Sequence, residues 1–301
     1  MEAWTPCFIK QRIKLTEPAY IRVLIRGNTV IVGDTSITTG LIKRARKFGI
    51  SICLMSFQFK LYMVISSEMQ GNTVLHKKQY AYESLAAARH LIINKIRNQR
   101  QVLMKIRAKT EDVKEAVAML DQYIAQLQKE DLERAEIIGI EGIASKVYFP
   151  RVFNNVRWVG RKPRIKFDYV NVLLDMGYTM LFNFVDAILQ VFGFDVYYGV
   201  LHTCFYMRKS LVCDIMEPFR PIIDWQVRKS INLGQFNEKD FVLLKNRWSL
   251  EYKKAAQYSQ VFLEAILERK EDIFFYIRTY YRCVMKEKPI SEYPVFMVEE
   301  A

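Results

Sequence analysis

Three side chains between residues 202 and 217 have the chemistry of ligands for a hard divalent cation. His202 is one of only three histidines in the chain, and Asp214 and Glu217 follow it. An imidazole and two carboxylates suit Mn²⁺ or Mg²⁺ when water and phosphate oxygens complete the coordination. On a helix, Asp214 and Glu217 would share one face, because residues three apart are surface neighbours. The segment is therefore a candidate metal site.

The same residues also have a purely structural interpretation. Asp214 as an N-cap and Glu217 at the third helical position would cap a helix reciprocally, with Pro218 tolerated in its first turn. A lone histidine between Leu201 and Thr203 is more often a core residue than a ligand. From these residues alone the structural interpretation is favoured, and the balance changes only because of a second segment upstream.

Four short motifs occur in the order found in one protein family. They are Glu141-Gly-x-Ala-x-x-x-Tyr148, Asn171-Val-Leu-Leu-x-x-Gly177-Tyr178, Gly199-x-x-His202 and Ser210-Leu211-x-x-Asp214-x-x-Glu217-x-Phe219-Arg220-Pro221. Each motif is weak alone, but together the four are specific. The chain resembles the CRISPR-associated integrases of spacer acquisition, the first of the two adaptation proteins, most densely from Glu141 to Gly234.

The resemblance implies a metal-dependent DNA integrase and endonuclease. Glu141, His202 and Glu217 would bind Mn²⁺ or Mg²⁺, with Asp214 close by as an auxiliary acid or ligand. The ion would act as a Lewis acid on a phosphate and help to orient the attacking oxygen. In the family, that oxygen is the 3′-hydroxyl of a captured foreign DNA fragment, which attacks a phosphodiester at the edge of a CRISPR repeat. Hydrolytic nicking uses the same centre.

The charge of the chain also predicts an anionic partner. The formal net charge is +13 and the pI is about 9.4, which favours a nucleic acid first and an acidic membrane surface second. Residues 142–167 hold seven basic residues, no acidic ones and several aromatics, a composition suited to phosphate neutralisation and base stacking. The predicted DNA contacts are Tyr148, Arg157, Arg164, Arg220 and Arg228. For Arg220 we favour a second role, a charge-assisted hydrogen bond that fixes Glu217.

The hydrophobic period predicts an α+β fold, a small N-terminal β domain followed by a larger all-α catalytic domain. Residues 1–72 read as strands with one short helix, because apolar residues alternate and Gly27-Asn28 marks a hairpin turn. From Tyr80 onward the period is about 3.6, which assigns residues 73–285 to helices. Asn237 and Asp240 are expected to introduce a further helix, and residues 286–301 to form a poorly packed tail.

Composition and the resemblance together predict where the protein works and with what. Five cysteines without a CxxC pair indicate a reducing cytoplasm, and the apolar region 169–207 is too interrupted by polar and acidic residues for a membrane span. The resemblance implies a homodimer formed through the β domain. It also implies double-stranded DNA as substrate and a heterohexamer with the second CRISPR adaptation protein. A non-catalytic basic DNA-binding scaffold remains the alternative.

Overall fold

A four-stranded sheet opens the part of the chain that the structure describes. The computed structural model describes residues 21–298, apart from residues 26, 34, 57–58, 67–71, 82–84, 108, 130, 159 and 164. The strands are β1 (Ile21–Ile25), β2 (Asn28–Val32), β3 (Ile52–Met55) and β4 (Leu61–Ile65), in that order across the sheet. The outer pairs are antiparallel and β2 pairs with β3 in parallel. The first twenty residues of the predicted β domain lie outside the described residues.

One helix makes the crossover that the parallel pair requires, since parallel strands cannot be joined by a hairpin. This helix, α1 (Thr39–Lys47), begins at Thr38, whose hydroxyl accepts a hydrogen bond from Leu41 N. It covers one face of the sheet over a small cluster of Ile31, Ala45 and Ile52. The other face joins the main core, where β4 packs against the helical region.

Nine further α-helices form most of the rest of the described chain, as the change of period predicts. They are α2 (Thr73–Ala81), α3 (Leu85–Met104), α4 (Glu111–Leu127), α5 (Arg134–Val152), α6 (Tyr169–Val191), α7 (Ser210–Met216), α8 (Arg220–Asn232), α9 (Tyr252–Glu268) and α10 (Lys270–Lys286). Asn72 caps the start of α2, since its side chain accepts a hydrogen bond from Leu75 N at 3.1 Å. The sheet and the helices confirm the α+β architecture, whereas a domain boundary at residue 72 stays a prediction.

The central helix α6 is buried, as its apolar sequence predicts. Asp168 caps its start by accepting a hydrogen bond from Asn171 N at 2.7 Å. Within the described ranges, α6 is the one helix long and apolar enough to cross a membrane, but 72% of its most apolar window is buried inside the fold. Its contacts with α7, α8 and α9 identify it as the core helix against which the later elements pack.

Two parts of the helical region differ from the sequence prediction. A hairpin of β5 (Phe241–Leu244) and β6 (Arg247–Leu250) replaces the helix expected after Asp240. Its turn residues, Lys245 and Asn246, have φ of 49° and 61°. A two-residue turn of this kind matches the twist of antiparallel strands, so the chain reverses there and α9 begins only at Tyr252.

The prediction of a poorly packed C-terminal tail is wrong for residues 290–298. Tyr293, Phe296 and Val298 are buried against the helical core. Asn94 and Asn98 of α3 hydrogen-bond the segment, donating to Phe296 O at 2.6 and 3.0 Å and accepting from Phe296 N and Val298 N. The asparagines take the place of a neighbouring strand, so residues 293–298 are held without regular secondary structure.

We expect Gly177→Ala in α6 to destabilise the protein although alanine is the better helix former. A Cβ at this position would lie 2.5 Å from Ile223 Cγ2 and 2.8 Å from Phe262 Cε1. We predict a loss of about 1–3 kcal/mol in the free energy of unfolding, measured by urea denaturation. Gly139→Ala in α5 is the matched control, because no described atom beyond the nearby backbone of its own helix lies within 4 Å of a Cβ at this position. It should gain about 0.5–1 kcal/mol, and a loss as large as that of Gly177→Ala would contradict the steric argument.

Candidate active site

Two of the acidic side chains singled out from the sequence, Glu141 and Glu217, face a groove between helices, whereas Asp214 and His202 are not among the residues that line it. The groove has a volume of about 950 Å³ and is lined from α3, α5, α6, α8 and the loop after α5. Glu141 reaches it from α5 and Glu217 from the 3₁₀ turn between α7 and α8. The groove thus brings together two carboxylates that lie 76 residues apart in the chain.

Both carboxylates contact the same lysine side chain. Lys95 of α3 is buried, and its Nζ lies 2.7 Å from Glu217 Oε2 and also pairs with Glu141 Oε1. Burial alone would lower the pKa of Lys95, but Glu217 and Glu141 raise it above its usual value. A charged ammonium therefore lies between the two predicted metal ligands.

Arg220 holds Glu217 from the other side. Its Nε lies 3.0 Å from Glu217 Oε1, and its guanidinium lies over the ring of Tyr178 at 4.7 Å. Burial alone would raise the pKa of Glu217, but Arg220 and Lys95 lower it to about 2. Glu217 is thus a carboxylate at neutral pH, and the favoured role of Arg220, fixing this carboxylate, agrees with the geometry.

His202 is oriented by Asp214, not merely close to it. Its Nδ1 lies 2.5 Å from Asp214 Oδ1. The same buried carboxylate accepts the backbone N–H groups of Val200, Leu201 and His202 at 2.6, 2.9 and 3.1 Å. A carboxylate on Nδ1 favours the tautomer in which Nε2 keeps its lone pair, the arrangement of metal-binding histidines. Asp214, with both oxygens engaged, supports His202 from behind.

The donor set fits a hard divalent cation in its chemistry. Among the described residues, none donates a hydrogen bond of good geometry to the buried Glu217 Oε2. The tautomer that Asp214 favours would leave His202 Nε2 as a ligand atom. Among the residues that the structure describes, no three His, Cys, Asp or Glu side chains are grouped closely enough to hold one ion. The cation between Glu141 and Glu217 is instead the ammonium of Lys95.

Two predicted DNA contacts are buried, and those predictions are wrong. Tyr148 has no exposed surface and donates its hydroxyl to Asp224 Oδ2 at 3.1 Å. Arg228 is 9% exposed and donates to Val152 O and to the side-chain oxygens of two asparagines after α5. Both side chains make their hydrogen bonds inside the protein because α5 and α8 pack against each other.

The other predicted DNA contacts have different places in the structure. Arg157 is exposed on the loop after α5, and Arg220 lines the groove. Arg164 lies outside the described residues. Sequence reasoning missed Arg161, which lines the groove and pairs with Asp175 at 2.7 Å and Asn171 Oδ1 at 3.0 Å. This tether to α6 gives the groove a basic wall.

Asp224 is a buried acid that no sequence motif identified. It lines the groove, where Tyr148 and Tyr178 both donate their hydroxyls to it. Burial, the largest influence, raises its pKa from 3.8 to about 6, although the hydrogen bonds from Tyr178 and Tyr148 lower it. The sequence could have indicated Asp224 by its position four residues after Arg220, which puts both side chains on the same face of α8.

The raised pKa of Asp224 makes part of the stability dependent on pH. Because the folded protein holds this proton more tightly than the unfolded chain, the contribution is full below pH 3.8 and is lost as the pH rises through about 6. Asp224→Asn removes the titration. Between pH 4 and pH 7 we expect its free energy of unfolding to gain about 2 kcal/mol relative to wild type. Urea denaturation at both pH values measures this, and a constant difference would contradict the assignment.

Comparisons with known proteins agree in one family. The family model for CRISPR associated protein Cas1 matches residues 11–264. CRISPR-associated endonuclease Cas1 1 of Thermodesulfovibrio yellowstonii (strain ATCC 51303 / DSM 11347 / YP87) is 30% identical over 244 residues, 76% of either chain. A chain of a partial Cas6-RT-Cas1–Cas2 complex has a TM-score of 0.79 at 20% identity, covering 94% of this chain and 97% of that one. A casposase bound to integration product has a TM-score of 0.66 at 19% identity, covering 90% of this chain and 84% of that one.

Proposed function

The chain belongs to the family of CRISPR-associated protein Cas1, and we propose that it inserts captured foreign DNA fragments into a CRISPR array. Relatives at 30% identity are named as CRISPR-associated endonucleases, and a casposase bound to integration product shares the fold. The proposed enzyme is a DNA integrase and endonuclease that depends on Mn²⁺ or Mg²⁺. Its substrates are double-stranded DNA, namely the spacer fragment and the repeat.

One observation carries this proposal: Glu141 and Glu217 converge on a single cation, the ammonium of Lys95, in a groove with a basic wall. Two carboxylates that share a cation are suited to a divalent ion, and basic side chains around them are suited to a phosphate backbone. A purely structural ion pair would not need a groove of about 950 Å³ beside it. The combination favours phosphodiester chemistry over a scaffold.

In the proposed reaction, the 3′-hydroxyl oxygen of the fragment forms a bond to a repeat phosphorus, and the bond to the repeat's own 3′ oxygen breaks. The number of phosphodiester bonds is unchanged, so no ATP is required. Glu141, His202 and Glu217 would hold the ion, which when bound supplies Lewis-acid polarisation of the phosphate. Arg220 keeps Glu217 charged and in place, and Asp214 keeps the His202 ring oriented.

The basic wall has a separate part in the proposed mechanism. Lys146, Arg161 and Lys166 also line the groove and would neutralise the phosphates of the bound strand. Arg157, exposed on the same loop, is proposed to extend this contact along the DNA. These side chains position the scissile phosphate beside two carboxylates that would otherwise repel it.

We also propose the assembly and location in which the reaction takes place. A structural neighbour is a Cas6-RT-Cas1–Cas2 complex, which supports the second adaptation protein as a partner of this chain. The proposed unit is a homodimer, two of which flank a dimer of that partner in a heterohexamer. The proposed location is the cytoplasm, where the array is.

Strand transfer tests the proposed function. The protein, with and without the second adaptation protein, is mixed with a short duplex with free 3′-hydroxyls and a supercoiled plasmid that carries a repeat array. We expect joined product with Mn²⁺ or Mg²⁺ and none with EDTA. Tight DNA binding without joining under every combination would favour the scaffold instead, and joining that survives EDTA would contradict the metal site.

A further inference from the structure

The ammonium of Lys95 lies where Glu141 and Glu217 converge in the groove. Its Nζ is 2.7 Å from Glu217 Oε2 and pairs with Glu141 Oε1, while the lysine side chain is only 7% exposed. These contacts belong to one buried amine on α3, held between α5 and the turn that carries Glu217. A lysine whose only task was to bind DNA would have no reason to be buried behind two carboxylates.

We propose that Lys95 is the resident counter-ion of the metal site, holding Glu141 and Glu217 together until a divalent cation displaces its ammonium. This inference rests on the proposed function, because it assigns Lys95 a role toward the proposed ion. Without any cation, the two carboxylates would repel each other in a poorly solvated site. With both cations between them, the ammonium and the ion would repel instead, so occupancy is exclusive.

The groove offers the displaced ammonium a second position. Gln99 lies one turn further along α3, lines the same groove and is 1% exposed. Among the residues that the structure describes, neither its Oε1 nor its Nε2 has a hydrogen-bond partner, an unusual state for a buried amide. The carboxylate of Asp224 lines the groove as well. An amide oxygen and a carboxylate are suitable acceptors for an ammonium that has given up Glu141 and Glu217.

The affinity for Mn²⁺ alone tests the inference without any catalytic assay. Free Mn²⁺ is measured by electron paramagnetic resonance during titration of wild type and of Lys95→Met, which keeps most of the length of the side chain without its charge. We expect the variant to bind Mn²⁺ at least ten-fold more tightly, because the competing cation is gone. Unchanged or weaker binding would overturn the inference, since a lysine that merely braces the ligands would weaken the site when removed.

A matched control separates this effect from the loss of any buried ion pair. Lys209 pairs with the buried carboxylate of Asp186 at 2.5 Å and does not line the groove. Lys209→Met should therefore leave the Mn²⁺ affinity at the wild-type value. A comparable rise in Lys209→Met would show a general effect of net charge and would overturn the specific role of Lys95.

A second measurement uses the wild-type protein, in case Lys95→Met does not fold. Reductive methylation with isotopic formaldehyde, read by mass spectrometry, reports the reactivity of each lysine amine. We expect labelling of Lys95 to rise several-fold when Mn²⁺ replaces EDTA, because the amine loses both carboxylate partners. Labelling that stays constant while the protein binds Mn²⁺ would overturn the displacement.

The outcomes distinguish this inference from the function on which it rests. If neither wild type nor Lys95→Met binds Mn²⁺, the proposed metal site and the inference both fail. If wild type binds Mn²⁺ and joins DNA but Lys95→Met binds no more tightly, only the inference fails. Tighter binding in Lys95→Met together with metal-dependent labelling in wild type would support both.

Discussion

Replacing Glu217 with glutamine is expected to lower the rate of strand joining at least about 1000-fold, which corresponds to about 4 kcal/mol of lost transition-state stabilisation. Glutamine keeps the size of the side chain but removes the negative charge that a divalent ion requires. It also leaves Lys95 and Arg220 facing a neutral amide, where they now pair with a carboxylate at 2.7 and 3.0 Å. The measurement is the single-turnover rate of joining in saturating Mn²⁺.

DNA affinity should change little in the same variant, because it depends on phosphate contacts made by basic side chains. A fluorescence-anisotropy titration at fixed salt should therefore give a dissociation constant within a few-fold of wild type. Glu264→Gln is the matched control, since Glu264 is an exposed glutamate on α9 that accepts a hydrogen bond from Gln260 and does not line the groove. Joining by Glu217→Gln at close to the wild-type rate would refute the assignment of this carboxylate to the site.

Asp214→Asn should reduce joining about 10- to 100-fold and also destabilise the fold. Asp214 Oδ2 accepts from Val200 N and Leu201 N, and Oδ1 accepts from His202 N and pairs with its Nδ1. An asparagine has only one acceptor oxygen, so its amide group must face either the two backbone donors or the imidazole. In the first orientation, the amide N–H group faces the backbone N–H groups of Val200 and Leu201. In the second, it donates to His202 Nδ1 and shifts the imidazole proton to Nε2, the nitrogen that would bind metal.

Two readouts separate these effects in Asp214→Asn. The loss in the free energy of unfolding should be about 1–3 kcal/mol by urea denaturation, since a buried hydrogen-bonding group is left unsatisfied. Asp186→Asn provides the control, because Asp186 is a carboxylate 1% exposed that pairs with Lys209 away from the groove. It should lose stability but keep its joining rate. If Asp214→Asn joined DNA as fast as Asp186→Asn, the orienting role of Asp214 would be wrong.

Motif order and hydrophobic period made much of this molecule predictable. The change from alternating to helical spacing predicted the strands before residue 72 and the helices after it, because each element's own apolar pattern records its period. The mostly apolar sequence of α6 predicted a buried helix, and Asp168 marks its start. For the site, motifs known from a family located Glu141, His202, Asp214 and Glu217 along the chain.

The errors share one cause, which is that partners distant in sequence decide whether a polar side chain is buried. Tyr148 and Arg228 are residue types common on DNA-binding surfaces. In the structure, however, Tyr148 donates its hydrogen bond to Asp224, and Arg228 donates to the end of α5. The C-terminal segment lacks a helical or strand pattern of its own. It is nevertheless ordered by Asn94 and Asn98, which lie about two hundred residues earlier.

The sequence by itself therefore determined the family and the architecture and predicted the acidic and imidazole groups of the candidate site, because these depend on local period and on motif order. Only the tertiary structure decided what each group contacts. It placed Asp214 behind His202, fixed Glu217 against Arg220 and set Lys95 between the two glutamates. Lys95 precedes Glu141 by 46 residues and Glu217 by 122. No local pattern encodes such a contact, since it exists only where α3 packs beside α5 and the turn before α8.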